Sequence, residues 1–369
     1  MRRYGLDWLR IFVVFMLFPF HTARVFDWWE PNYVKDATNG FSSWFVASLG
    51  FWFMALLFVI AGFSSFHALQ KRSTKEYVKE RVLRLLVPLL FGLVLIVPVQ
   101  GYYASLQHEG FTDGYFQFLR QYFTDFHDLS GYTGGFTPAH LWFILYLFVI
   151  SLCLLPLLIR LRSPKEGRVR PWLWLLAFVP VTAMEALPDI GGKNPFFYAA
   201  LFLLGFLLAR NGETMAWVRR IRFATLAAAV ILIPVYLMLA YSLGWPDQVD
   251  LLGASMALLR NLSIWMIVLA LMGIADTYLN KPSPVLNYLN GASYPVYVLH
   301  QSALIVIAYY IVATDMPFVS KYLSIVLGTL AACLVLYEVF RRIPPTRFIL
   351  GIKAPAKRQK KNVGTAISG

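Results

Sequence analysis

The chain has 369 residues, 59% of them hydrophobic and 17% aromatic, while only 14% are charged. Soluble domains carry roughly a quarter charged residues, so composition excludes a soluble enzyme and points to an all-α, polytopic membrane bundle. The net charge of +14 would suit a nucleic-acid binder, but it sits in alternate loops, which is a topological pattern, and no nucleic acid is expected.

Apolar windows of about 20 residues give about ten transmembrane helices. The first, Leu6–Phe26, follows Arg2 and Arg3 and has no small-residue cleavage site after it, so it reads as a retained helix. It carries Asp7, Arg10, His21 and Arg24. At about 100° per residue these four share an arc of about 100°, one polar stripe turned away from lipid. Ionisable groups inside a membrane mark function by default. Asp7 and Arg10, three apart, can pair. His21 lies some 21 Å along the helix from Asp7 at about 1.5 Å per residue. Histidine takes and returns a proton near neutral pH, which suits a general base.

The loop DWWEPNYVKDATNG is acidic and leads to the second span, Phe41–Leu69. QKRSTKEYVKERVLR, strongly basic, precedes the third, Leu85–Val99. Within it Arg81 and Arg84, three apart, are expected to share a face, and guanidinium groups bind phosphate in bidentate fashion. The connection from Gln100 to His140 is the longest and sets Glu109, Asp113, Asp125 and Asp128 against Arg120. Its segment GYFQFLRQYF could lie along the membrane interface.

The fourth span, Leu141–Ile159, begins beside His140 and Trp142. Spans five to eight are Trp172–Leu187, Phe196–Ala209, Phe223–Leu243 and Leu258–Leu279, separated by EALPDIGGKN, the basic RNGETMAWVRRIR and the acidic GWPDQVD. The ninth, Tyr294–Ala313, holds Tyr297 and His300, the latter about two turns in, and the tenth is Val319–Phe340. Residues 1–345 form one membrane domain and 346–369 a basic tail. Lys and Arg accumulate on the cytoplasmic side, so an even number of spans places both termini there. Cys153 and Cys333 fall within spans four and ten and read as small buried hydrophobes, with no spacing that suggests a metal. No GxSxG, phosphate-binding loop or GxGxxG with strand context appears.

The ordered set of motifs resembles the acyltransferase 3 family of integral membrane acyltransferases. LDWLR and His21 match the start of its first helix, FVIAGFSSF (Phe58 to Phe66) its second-helix motif, and Arg81 and Arg84 its RxxR pair. AHLWFILYL matches its fourth helix, and Ser293, Tyr294, Tyr297 and His300 a recurring SYxxYxxH pattern. Within the family the pattern is similar to the branch of periplasmic-glucan biosynthesis proteins. The resemblance implies transfer of an acetyl- or succinyl-class group from cytoplasmic acyl-CoA, held by Arg81 and Arg84, to a hydroxyl of an extracytoplasmic glycan or lipid-linked sugar. It implies His21 as general base or transient acyl carrier, organised by Asp7 and Arg10, with Arg24, His140, Trp142, Tyr297 and His300 as further candidates. It implies no metal, and a multi-pass location in the inner (plasma) membrane. One departure is that Trp142 is followed by FILYLF, where one large branch carries a carboxylate. The alternative is a transporter without covalent chemistry, against which stands the lack of an internal repeat.

Overall fold

The computed structural model describes residues 3–127, 131–132, 134–165, 170–245 and 250–352. Asp128, parts of RLRSPKEGRVR and GWPDQVD, and the tail from Lys353 onward lie outside them. Among the described residues there is no strand beyond an isolated Ile190–Lys193 bridge, and the fold is an all-α membrane bundle. Its helices are α1 (Tyr4–Phe26), α2 (Gly40–Gly50), α3 (Phe53–Lys71), α4 (Thr74–Arg81), α5 (Val87–Phe91), α6 (Val97–His108), α7 (Tyr115–Tyr122) and α8 (Trp142–Cys153). After them come α9 (Leu155–Arg160), α10 (Phe178–Glu185), α11 (Pro195–Arg210), α12 (Gly212–Ser242), α13 (Leu251–Tyr278), α14 (Pro284–Val312), α15 (Phe318–Phe340) and α16 (Pro344–Ile349).

Among the described residues, seven segments are long and apolar enough to cross a membrane. Three shorter apolar segments, Ala139–Cys153, Pro171–Glu185 and Pro195–Arg210, stand where spans four, five and six were expected.

The second span breaks into α2 and α3 at Phe51–Trp52. The Trp52 indole donates to Ser48 O at 2.8 Å, and the Trp52 backbone N–H turns to Leu49 O at 3.2 Å, so the ordinary ladder bond is displaced. The third span is one rod from Thr74 to His108, in which α4, α5 and α6 are joined by π-helical turns at Val82–Leu86 and Gly92–Ile96. Pro88 and Pro98 follow these turns. Each proline lacks an N–H and its ring crowds the carbonyl four residues back, and the wider π turn relieves that crowding. The rod therefore runs past Gln100, where apolar windows alone predict the start of a loop. α14 starts at Pro284, its first helical residue, ten residues before the expected start of span nine. His300 is consequently about 24 Å into its helix at about 1.5 Å per residue, and not two turns in.

α1 occupies the middle of the bundle, packed against α14, α13, α2, α15 and α3. α11 lies along α3 with backbones in close approach. A Cβ at Gly62 would run into the carbonyl of Phe202, and one at Gly205 into the carbonyl of Val59. Small residues at facing positions are the usual means of packing helices where lipid removes a hydrophobic driving force, which gives Gly62 of FVIAGFSSF a structural purpose. α7 turns Phe118 and Tyr122 into the core, both fully buried, and leaves Phe116 exposed. Cys333 is buried as expected, but Cys153 is exposed at the end of α8. α16 straddles the expected domain boundary at residue 345, with Thr346 Oγ1 donating to the carbonyls of Phe340 and Ile343.

Candidate active site

Three histidines that are far apart in sequence meet inside the bundle. His140 stands at the start of α8, His300 deep in α14 and His21 in the second half of α1. Ring centroids are 5.1 Å apart for His140 and His300 and 5.3 Å for His21 and His300. Their hydrogen bonding differs stepwise. His140 uses both nitrogens: Gln100 Nε2 donates to Nδ1 at 3.1 Å, and Nε2–H donates to Val298 O at 3.0 Å. His300 uses one, its Nδ1–H donating to Tyr297 O at 2.6 Å. Its buried Nε2 has no partner among the described residues, so that tautomer leaves Nε2 with a free lone pair. His21 is only part-buried and is held, among those residues, by ring contacts with Phe20 and His300.

The surroundings fix His140. Gln100 Nε2 also donates to Ser302 Oγ at 2.9 Å, and Ser302 Oγ donates to Ile96 O at 2.7 Å. The Tyr297 hydroxyl donates to the His140 carbonyl. Tyr297 thus positions His140, while Gln100 and Ser302, absent from the sequence candidates, clamp its ring. Among the described residues no group of His, Cys, Asp or Glu is arranged to hold a metal ion.

The two ends of the α1 stripe go to different places. Near its N-terminus, Arg10 Nη1 pairs with Asp7 at 3.2 Å and its Nη2 donates to Ser64 Oγ at 3.2 Å. Arg81 reaches the next residue of α3, donating to Ser65 Oγ at 2.8 Å, and lies over the Tyr77 ring at 4.6 Å. It has no carboxylate partner among the described residues. Arg84 does not share that environment. It sits in the π turn and pairs with Glu80 at 2.7 Å, which also holds Arg72 at 2.8 Å. The two guanidinium groups that α-helical spacing would have aligned thus have different partners.

Beyond His21, Arg24 leaves the stripe for the fully buried Asp27 at 2.5 Å, and Lys35 reaches the same carboxylate at 2.8 Å. Lys193 places its ammonium 5.7 Å from the centroid of Trp142, whose ring also meets that of Tyr198 at 5.1 Å. Desolvation lowers the Lys193 ammonium below its ordinary value, repulsion from Arg24 adds to this, and Asp189 opposes both.

Residues 3–338 match the profile of the acyltransferase 3 family, described as an acyltransferase domain. The chain belongs to the acyltransferase 3 family. It is an acyltransferase of groups other than amino-acyl groups, embedded in a membrane by several helices. The acyltransferase is similar to glucans biosynthesis protein C of Salmonella typhimurium, 23% identical over 98% of this chain and 97% of that protein. It is equally similar to the proteins of that name from Salmonella typhi and Salmonella schwarzengrund, at 23% identity over the same shares. No solved structure matches it.

The sequence reading also passed over Arg260, within its eighth span. Arg260 forms an ion pair with Glu185, whose other oxygen accepts from Asn261 Nδ2 at 2.7 Å. The signal was the one used for the α1 stripe, a charge inside an apolar run, and it was present in the sequence.

Proposed function

We propose that this acyltransferase moves an acetyl- or succinyl-class group from cytoplasmic acyl-CoA to a hydroxyl of a glucan or a related lipid-linked sugar outside the inner (plasma) membrane, with both chain termini cytoplasmic. The observation that carries this reading is the stepwise engagement of the three histidines. Only His21 combines an uncommitted ring with access, so it is the general base that meets the acceptor. His300, with one bare nitrogen behind it, is the second proton acceptor, and His140 is the fixed wall against which both rings stand.

The chemistry balances as follows. His21 takes the hydroxyl proton as the oxygen attacks the thioester carbonyl. The tetrahedral intermediate then expels the thiolate, which takes up that proton, leaving an ester and free coenzyme A. General-base assistance of this kind contributes about 10²–10⁴-fold. Arg81 supports an anionic donor on the other side, since its guanidinium is anchored on neutral partners and keeps its charge for a phosphate. Arg10, on the neighbouring Ser64, extends that basic surface toward α1. Arg84, neutralised by Glu80, contributes less. The acceptor class rests on the relatives' name, and the orientation on the alternation of basic and acidic loops.

The test supplies labelled acetyl-CoA and succinyl-CoA to the protein in liposomes with glucan present. Label appears on the glucan with wild type and is lost with His21→Ala. Absence of both transfer and thioester cleavage with either donor would end the reading, as would full activity of the variant.

A further inference from the structure

A second feature lies at the same end of α1 as His21, about 8 Å beyond it by helical rise. Trp28 and Trp29 follow α1, Trp44 is on α2, Tyr241 ends α12, and Trp245 follows that helix. Their rings contact one another in series: Trp28–Trp29 at 5.2 Å, Trp28–Trp44 at 5.9 Å, Trp44–Tyr241 at 5.5 Å and Trp29–Trp245 at 6.2 Å. Interfacial aromatics that merely anchor helices are distributed around a bundle. Here rings from separate elements converge on one spot, and Tyr241 and Trp245 still keep 60% and 42% of their surface exposed.

Trp245 also marks the edge of a cavity of about 130 Å³, with Tyr236 and Arg260 in its lining. Its backbone sits at φ +57°, a left-handed conformation that is a genuine outlier for a bulky side chain. Such strain persists where the surroundings over-determine it, often at binding sites. The Trp245 N–H bonds to Ala240 O at 2.8 Å, closing the end of α12 and fixing the indole beside the cavity. Arg260 Nε is buried without a hydrogen-bond partner among the described residues. Glu185 neutralises the guanidinium charge, so the cavity offers hydrogen-bond donors with little net charge to attract a phosphate.

We propose that this cavity and the Trp28, Trp44 and Trp245 rings beside it form a binding subsite for a neutral sugar residue of the acceptor, separate from the hydroxyl that is acylated. Apolar sugar faces stack on the rings, and hydroxyl groups accept from Arg260, which suits a site that is mostly apolar with a few placed polar groups. A glucan of several units then spans from the subsite to His21. This deepens the acceptor assignment above and rests on it for the identity of the sugar chain.

The experiment uses the full chain in nanodiscs and glucose oligosaccharides of increasing length, without donor and with it. Longer oligomers are expected to quench indole fluorescence saturably and to raise kcat/KM. Trp245→Ala and Trp28→Ala should weaken binding of the longer oligomers roughly tenfold or more and erase the length dependence, while Trp245→Phe restores most of it. Monodisperse elution and an unchanged thermal midpoint show that the variants are folded. Retention of wild-type quenching and length dependence by folded alanine variants overturns the subsite. So does saturable quenching by vesicles of anionic phospholipid with none by glucan. Glucan binding that depends on these tryptophans, with no acyl transfer to any length, leaves the subsite standing and removes the catalytic reading instead.

Discussion

The two halves of α1 solve the problem of polar groups in a membrane in opposite ways. In the N-terminal half every described cation is balanced. Arg10 is on Asp7 and Ser64, and Arg3 meets Asp276, which also holds Arg219, at 2.8 and 2.7 Å. In the C-terminal half Arg24 is balanced by Asp27, but His21 faces another imidazole, His300, behind which stands His140, and among the described residues no carboxylate reaches any of the three rings. A charge without a counter-ion is costly in a low-dielectric interior, so the position of His21 can be left without one only by a group that is neutral when idle. Histidine meets that condition and arginine does not. The difference separates cations held in ion pairs from a histidine left without a counter-ion.

The contrast can be broken most strongly at the open half. His21→Ala should lower the rate of transfer by about 10²–10⁴-fold with only a small fall of the thermal midpoint in detergent, because among the described residues the ring loses contacts with Phe20 and His300 but no hydrogen bond. His300→Ala should also slow transfer, by less, and the pH dependence of kcat separates a proton acceptor from a packing residue. A rise in KM alone would assign His300 to positioning.

The balanced parts should answer in stability. Asp27→Ala strands Arg24 and Lys35 beside an emptied buried site, and about 3–5 kcal/mol of stability should go with it, read as a fall in thermal midpoint. Gly62→Ala pushes a methyl into the α3–α11 contact and should cost about 1–3 kcal/mol, with glycine at 205 unable to compensate. The smallest effect belongs to Glu80→Gln. Its pairs with Arg84 and Arg72 are partly solvated, so stability should move by no more than about 1 kcal/mol. Arg84, once released, should lower KM for the acyl donor if phosphate binds nearby.

What could be read from the chain was whatever local chemistry determines. Apolar runs placed the helices, and helical periodicity put Asp7, Arg10 and His21 on one side of α1. The motif resemblance brought His140, Tyr297 and His300 into consideration without saying that they meet. Their meeting depends on the depth of α14, and its start at Pro284 was hidden because PVLNYLNGAS is too polar to register as a span. Gln100 was hidden likewise at the end of an apolar window. The π turn that holds Arg84 was invisible for another reason, since such a turn has no hydropathy signature and periodicity arguments assume that none occurs. Arg260 was the reverse case, a visible charge in an apolar run that no neighbouring motif drew attention to.

Those π turns carry a further consequence. Each one adds a residue to the rod without adding a full step of rotation, so the azimuth of Gln100 depends on how many residues separate it from Arg81. Deleting a single residue from Gly92–Ile96 would let that stretch relax to an α-helix. Gln100 would then swing by much less than the about 100° that one residue contributes in an uninterrupted α-helix, because the π turn had already absorbed the extra residue. A residue deleted from the regular turn at 97–99 has no such reserve and would carry the amide away from His140 and Ser302, even though no residue near the histidines had changed. The rod thus takes up a change of length at its π turns and passes it on as rotation elsewhere.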